Sequence, residues 1–120
     1  MFEKNKSLRH LNTFGIQAYA ENYLRVDNIK ILQEVTKVYK DVFVLGGGSN
    51  ILLTQDITKP VIHMVNRGIE VLQEGSRTNK VLVRAQAGEN WHDFVLWCLS
   101  GNLGGFHQCC RRPPTFARAR

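Results

Sequence analysis

The first part of the chain carries several short apolar runs and one segment with helical periodicity. Asp27 or Asn28 can cap a helix, because the apolar positions that follow recur at helical spacing to about residue 40. The other runs are short and rich in valine, isoleucine and leucine, which is typical of strands. These predicted strands are residues 23–26, 43–45, 51–54 and 61–65.

The later part of the pattern predicts a hairpin and a second helix. Two β-type runs, 70–74 and 81–85, flank a polar, glycine-containing stretch at 75–80 that is typical of a turn. Asn90 can cap a helix whose apolar face includes Trp91. Because strands outnumber helices and do not alternate with them regularly, we expect an α+β fold.

Three consecutive glycines followed by Ser49 and Asn50 form a glycine-rich loop, residues 46–50, between two predicted strands. Glycine permits positive φ and lets the backbone approach a ligand without a Cβ atom in the way. Successive exposed N–H groups in such a turn can form a concave anion site. The loop is therefore predicted to bind a phosphate or pyrophosphate; a glycine-rich hairpin without a ligand is the alternative interpretation.

Two familiar phosphate motifs do not fit the glycine-rich loop. A P-loop requires a lysine directly after its glycines, whereas the nearest lysine here is Lys40, before the strand. A dinucleotide fingerprint requires glycines that open a helix, whereas the residues after Asn50 are β-type. Any phosphate site at this loop therefore belongs to a different class of protein.

The formal net charge of +6 is concentrated late in the sequence. Residues 106–120 contain four arginines and no acidic residue, whereas residues 1–105 carry 12 basic and 10 acidic residues. Since the rest of the chain has no basic stripe interleaved with aromatic residues, we expect no nucleic-acid partner. With two prolines and no apolar face, residues 106–120 are predicted to be a disordered basic tail.

No apolar run approaches the roughly 18 residues of a membrane span. The polar start also lacks the apolar core of a secretory signal. We therefore expect a cytoplasmic protein with no membrane partner. The cysteines Cys98, Cys109 and Cys110 lack the spacing of a zinc site, so no metal is expected.

Four separate stretches of the chain match one family of proteins, in order and at plausible separations. They are Asn-Thr-Phe-Gly-Ile at 12–16, Leu-Gly-Gly-Gly-Ser-Asn-Ile-Leu at 45–52, Ala-Gly-Glu-Asn-Trp-His at 87–92 and Asn-Leu-Gly-Gly at 102–105. Together they resemble the UDP-N-acetylenolpyruvoylglucosamine reductases, also called UDP-N-acetylmuramate dehydrogenases. One such stretch would be weak support, whereas four in order are specific.

This resemblance implies an NADPH-dependent flavoenzyme of peptidoglycan synthesis that uses FAD to reduce UDP-N-acetylglucosamine enolpyruvate to UDP-N-acetylmuramate. It implies that residues 1–105 are the first part of a vanillyl-alcohol-oxidase-type (PCMH-type) FAD-binding domain. No residue of this chain matches the catalytic positions of the family, and Trp91 and His92 are expected to be core and surface residues. The resemblance places the FAD diphosphate against Gly46, Gly47, Gly48, Ser49, Asn50 and Ile51.

The family pattern stops near Gly105, and residues 106–120 resemble the product of a truncated or frameshifted gene. The later flavin-lining segments and the substrate-binding domain have no match. We therefore expect this chain alone to be marginally stable, to bind FAD weakly or not at all, and to lack reductase activity. The alternatives are another FAD-dependent oxidoreductase of the same fold and a non-catalytic binding protein with a basic tail.

Overall fold

The computed structural model describes residues 1–74 and 80–104, which fall into two compact units that divide between Asn66 and Arg67. The predicted turn at 75–80 lies almost wholly outside the described residues, as does the predicted tail at 106–120. Two helices and two sheets are present within the described residues, which agrees with the predicted α+β class.

The first unit is a four-stranded sheet with one helix. Its elements are β1 (Glu3–Ser7), β2 (Tyr19–Val26), α1 (Ile29–Val38), β3 (Phe43–Leu45) and β4 (Val61–Met64), and a short 3-10 helix spans Arg9–Leu11. The strand order is β1-β2-β4-β3; β1 runs antiparallel to β2, and β2 and β3 each run parallel to β4. The later strand β4 therefore lies between β2 and β3, which α1 connects.

Alternation along the strands gives this sheet two buried faces, because successive side chains of a strand point to opposite sides. One cluster joins α1 to the sheet and contains Leu24, Val26, Val35, Ile62 and Met64. The other cluster contains Leu8, Ala18, Ala20, Tyr23, Leu45, Leu53 and Val61. Of the two predicted cap residues, Asn28 caps α1: its side chain accepts a hydrogen bond from the Ile31 amide at 3.1 Å.

The strand predicted at 51–54 is wrong. These residues have no strand geometry, although Leu53 is buried and therefore accounts for the apolar pattern. The segment pairs with the sheet slightly later, where Ile57 forms an isolated parallel bridge with Ala20. The Asp56 carboxylate fixes this position by accepting a hydrogen bond from the Tyr19 amide at 2.8 Å.

The second unit contains β5 (Ile69–Glu74), β6 (Val81–Ala85) and α2 (Trp91–Ser100). The two strands pair antiparallel, as the hairpin prediction required. The side chain of Asn90 caps α2 by accepting from the Asp93 amide at 3.1 Å, and Phe94 and Cys98 are buried. Across residues 1–74 and 80–104, neither helix has the length and apolar character needed to span a membrane.

Candidate functional site

The glycine-rich loop leaves the sheet directly after β3. Leu45, the last residue of β3, is buried, and Ile51, the residue after the loop, packs partly buried against the same core cluster. Between these two anchors the chain turns outward, so that Ser49 and Asn50 are exposed. The sheet and its core therefore fix both ends of the loop, while its outer part faces solvent.

Gly48 packs so closely that no other residue fits. Its φ is +69°, and a Cβ atom built on it would lie 1.9 Å from the Leu11 carbonyl oxygen and 2.8 Å from the Leu11 carbonyl carbon. The Gly48 carbonyl oxygen also accepts a hydrogen bond from the Thr13 amide at 3.0 Å. The two family-like stretches at 12–16 and 45–52 are therefore in direct backbone contact.

Asn12 holds the other side of this contact. The residue is 7% exposed, and its side-chain amide donates to the Leu8 carbonyl at 2.8 Å and to the Ile16 carbonyl at 3.0 Å. Its side-chain oxygen accepts from the Ile16 amide at 3.0 Å. Because all these partners are backbone groups, Asn12 fixes the turn against which Gly48 packs.

Gly46 and Gly47 differ from Gly48 in having open space around them. A Cβ atom built on either would meet nothing within 4 Å, and neither has a φ in the left-handed range. Nothing inside the described part of the protein therefore requires glycine at these two positions. Within that same part of the chain, the amides of Gly47, Ser49 and Asn50 also have no hydrogen-bond acceptor.

This arrangement can bind an anion. Free backbone N–H groups on a turn that contains a left-handed residue can converge on a negatively charged oxygen. Glycines without packing constraints permit that oxygen to approach the backbone closely. The loop geometry is therefore compatible with the diphosphate predicted to contact it, and the contact itself stays a prediction.

Sequence reasoning missed a histidine beside the glycine-rich loop. His63 lies in β4, where it is the register partner of Leu45, the residue before the loop, and of Arg25 in β2. Its Nδ1 lies 2.6 Å from the hydroxyl oxygen of Tyr23. Burial and then the Arg25 charge lower the pKa of His63, and a hydrogen bond with the Gly46 backbone opposes this. A histidine within the apolar run at 61–65 was the available signal.

The stretch at 87–92 has a structural role in the second unit. The Glu89 carboxylate accepts from the Gly68 amide and lies 3.5 Å from the Arg67 guanidinium. Trp91 packs beside Phe94 with ring centroids 5.5 Å apart, whereas His92 is exposed. The exposure of His92 agrees with the expected surface position, whereas Trp91, expected to be a core residue, is only partly buried.

The fourth stretch, 102–105, comes after the end of α2. Asn102 adopts a left-handed conformation with a φ of 56°, and the Leu103 amide donates to the Cys98 carbonyl at 2.9 Å. Such a turn satisfies carbonyl groups that a helix end leaves without partners. Gly105 lies outside the described residues.

Curated proteins of one kind are similar to most of this chain. The UDP-N-acetylenolpyruvoylglucosamine reductase of Flavobacterium johnsoniae is 46% identical over 105 residues, which are 86% of this chain and 31% of that protein. The predicted family resemblance is confirmed. The reductase of Xylella fastidiosa is 40% identical over 92% of the chain and 32% of its own length. That of Pseudomonas putida is 37% identical over 98% of the chain and 35% of its own length.

The chain spans about a third of the length of the curated relatives that it matches. No family model matches the sequence. The resemblance therefore concerns one part of these reductases, and the part covered here includes the glycine-rich loop.

Proposed function

We propose that this chain is the N-terminal FAD-binding part of a reductase that acts on UDP-N-acetylenolpyruvoylglucosamine in peptidoglycan synthesis. The names of the relatives support the reaction, since each is a reductase of that compound. On this proposal the fold is the first part of a PCMH-type FAD-binding domain. The reaction uses NADPH and takes place in the cytoplasm.

The observation that supports FAD binding is the open backbone of the glycine-rich loop. Gly46 and Gly47 have free space where other residues have a side chain, and three amides around them lack acceptors within the described residues. A diphosphate carries two negative charges, and charge-assisted hydrogen bonds to it contribute on the order of 1.5–3 kcal/mol each. Ile51 comes directly after the loop and holds its far end on the core.

The cofactor and the residues of this chain have different roles in the proposed reaction. When bound, FAD supplies the hydride-transfer chemistry between NADPH and the enolpyruvyl substrate. The residues of this chain bind and orient the diphosphate end through Gly46, Gly47, Gly48, Ser49 and Asn50. No residue of the chain is assigned a proton-transfer role.

A chimeric enzyme tests the reaction. The matched 105 residues of the Flavobacterium johnsoniae reductase are replaced by the matching residues of this chain, and NADPH oxidation is followed with and without UDP-N-acetylenolpyruvoylglucosamine. We expect a yellow protein whose NADPH oxidation depends on that substrate. A folded chimera that retains FAD, ignores this substrate and has its flavin reduced by a simple alcohol instead would favour a different flavin oxidoreductase.

A second experiment tests the loop in the chain as it stands. FAD is titrated into the 120-residue protein, with Gly47→Ala as the variant and Gly104→Ala as the matched control, since a Cβ atom at either position meets nothing within 4 Å. We expect weak binding by the unaltered chain, a several-fold weaker affinity for Gly47→Ala, and no change for Gly104→Ala. Stoichiometric, tight FAD binding would contradict the expected weakness, and equal affinities of all three proteins would contradict the assigned site.

A further inference from the structure

His63 lies where the glycine-rich loop leaves the sheet. It occupies the central strand β4 and is in register with Leu45 on one side and Arg25 on the other. Because Gly46 directly follows Leu45 along a parallel strand, the first residue of the loop lies beside the imidazole. The sheet register thus fixes the backbone position of His63 independently of the loop.

The Tyr23 hydroxyl fixes the orientation of this ring. Tyr23 is 7% exposed and belongs to the buried core cluster on the loop side of the sheet. Its oxygen lies 2.6 Å from Nδ1 of His63, and the two ring centroids are 5.8 Å apart. A neutral imidazole accepts at one nitrogen and donates at the other, so a phenol that donates to Nδ1 leaves Nε2–H as a donor.

Gly46 follows the register partner of His63, so the loop begins next to this ring in the sheet. The Gly46 backbone raises the pKa of His63, which is the effect of an acceptor near the ring. The Tyr23–His63 hydrogen bond therefore links the buried core to the position in β4 that lies opposite the start of the loop. Tyr23 belongs to β2, His63 to β4, and Gly46 follows the end of β3.

We propose that His63, held by the Tyr23 hydroxyl, is a positioning residue that fixes the backbone of the glycine-rich loop. The effect of His63 on diphosphate affinity rests on the proposed function. The effect of the His63 ring on the loop backbone does not. Protonation converts Nδ1 from an acceptor into a donor, so the phenol oxygen must then accept the hydrogen bond that it donates to the neutral ring. The Tyr23–His63 pair therefore presents a different arrangement to the loop above and below the His63 titration.

The charged groups around the pair are mainly cationic. Arg25 is the register partner of His63 on β2, and Lys6 on β1 places its ammonium 5.6 Å from the centre of the Tyr23 ring. Glu3 on β1 acts on Tyr23 with the opposite sign. Burial and, after it, the Arg25 charge disfavour a positive charge on His63 and lower its pKa, so the imidazole is neutral near neutral pH.

An NMR titration of the isotope-labelled 120-residue chain tests the coupling. The ring shifts of His63 and the amide shifts of Gly46 and Gly47 are followed from pH 8 to pH 5. We expect both glycine amides to change with the same midpoint as the His63 ring. In Tyr23→Phe, which removes one oxygen atom, the shared midpoint should move upward toward 6.5, the ordinary value for histidine.

Two further variants separate a positioning role from general structural damage. His63→Gln should remove the inflection from the glycine amides, whereas His92→Gln, which alters an exposed histidine of the second unit, should leave it unchanged. Glycine amides that show no inflection, or that keep it in folded His63→Gln, would overturn the proposal. Should His63→Gln fail to fold, the Tyr23→Phe midpoint decides alone, and an unmoved midpoint overturns it.

Inorganic pyrophosphate, added at pH 7.5, distinguishes this inference from the proposed function. We expect it to shift the loop amides and to bind the unaltered chain about 3–10-fold more tightly than Tyr23→Phe, the equivalent of one ordinary hydrogen bond. If the glycine amides follow His63 but pyrophosphate shifts none of them, the positioning role stands and the diphosphate site fails. If pyrophosphate binds equally to both proteins, the link from His63 to ligand affinity is wrong.

Discussion

Replacing Gly48 by alanine should unfold or strongly destabilise the first unit. The added Cβ atom would lie 1.9 Å from the Leu11 carbonyl oxygen, whereas ordinary contacts begin at 3.4 Å. The backbone of the loop or of the 3-10 helix at Arg9–Leu11 must therefore move by more than an ångström. That movement separates the Gly48 carbonyl from the Thr13 amide, from which it now accepts a hydrogen bond at 3.0 Å.

The magnitude follows from three contributions. A residue other than glycine in the left-handed region costs about 1–2 kcal/mol. Forcing extra volume into a packed site costs about 1–3 kcal/mol, and losing the Thr13–Gly48 hydrogen bond costs about 0.5–1.5 kcal/mol. Together these give an expected loss of about 2.5–6.5 kcal/mol, a large share of the roughly 5–15 kcal/mol that stabilises a typical domain.

Urea denaturation followed by far-UV circular dichroism measures this loss, with Gly46→Ala and Gly47→Ala as matched controls. Both controls should change the free energy of unfolding by less than about 1 kcal/mol, and alanine can even stabilise by restricting the unfolded chain. A Gly48→Ala protein within about 1 kcal/mol of the unaltered chain would refute the reasoning. Equal destabilisation by Gly46→Ala would refute it as well, because that position has open space.

Three further predictions concern the same unit. Asn12→Leu leaves buried backbone groups of Leu8 and Ile16 without partners. It should lower the free energy of unfolding, measured in urea, by about 2–4 kcal/mol. An unchanged urea midpoint would contradict the role of the Asn12 side-chain amide. The fold lowers the pKa of His63, so just below pH 6.5 the unfolded chain binds more protons than the folded chain. The contribution of His63 to the free energy of unfolding is therefore fully present above pH 6.5 and is lost as the pH falls through the folded pKa. Urea midpoints across that window should show this slope, and His63→Gln should flatten it. Asn28→Ala removes the cap of α1 and should cost about 1 kcal/mol in the same assay, a loss that Asn28→Asp should largely avoid.

Local signals were sufficient for most elements of the fold. The caps Asn28 and Asn90 mark both helix starts, because a short polar side chain before an apolar helical pattern has a direct hydrogen-bonding role. The hairpin of β5 and β6 follows from two β-type runs around a polar turn. These predictions depend on residues close together in the sequence.

Features that depend on tertiary pairing are less accessible from the sequence. The polar strand Glu3–Ser7 has no apolar pattern, because it is a sheet edge with mostly exposed side chains. The run at 51–54 has the composition of a strand, although its apolar character reflects the burial of Leu53 and not ladder pairing. Hydrophobicity reports burial directly and backbone pairing indirectly.

Some features of the candidate site were likewise predictable from the sequence, and others depend on tertiary contacts. Three glycines with Ser49 and Asn50 indicated an open backbone, and the loop is open at Gly46 and Gly47. The contact of Gly48 with Leu11 and the pairing of Tyr23 with His63 join residues about forty positions apart. Such contacts follow from strand order and register, which the periodicity of one sequence does not determine.

The central claim is that the glycine-rich loop contacts the diphosphate of FAD, and amide NMR of the labelled chain tests it most directly. FAD is added at millimolar concentration, and the amide shifts across the chain are compared with those produced by riboflavin, which lacks the phosphates. We expect FAD, but not riboflavin, to shift the amides of residues 46–50 before any others. Equal shifts with both compounds, or FAD-induced shifts confined to residues outside the loop, would contradict the account.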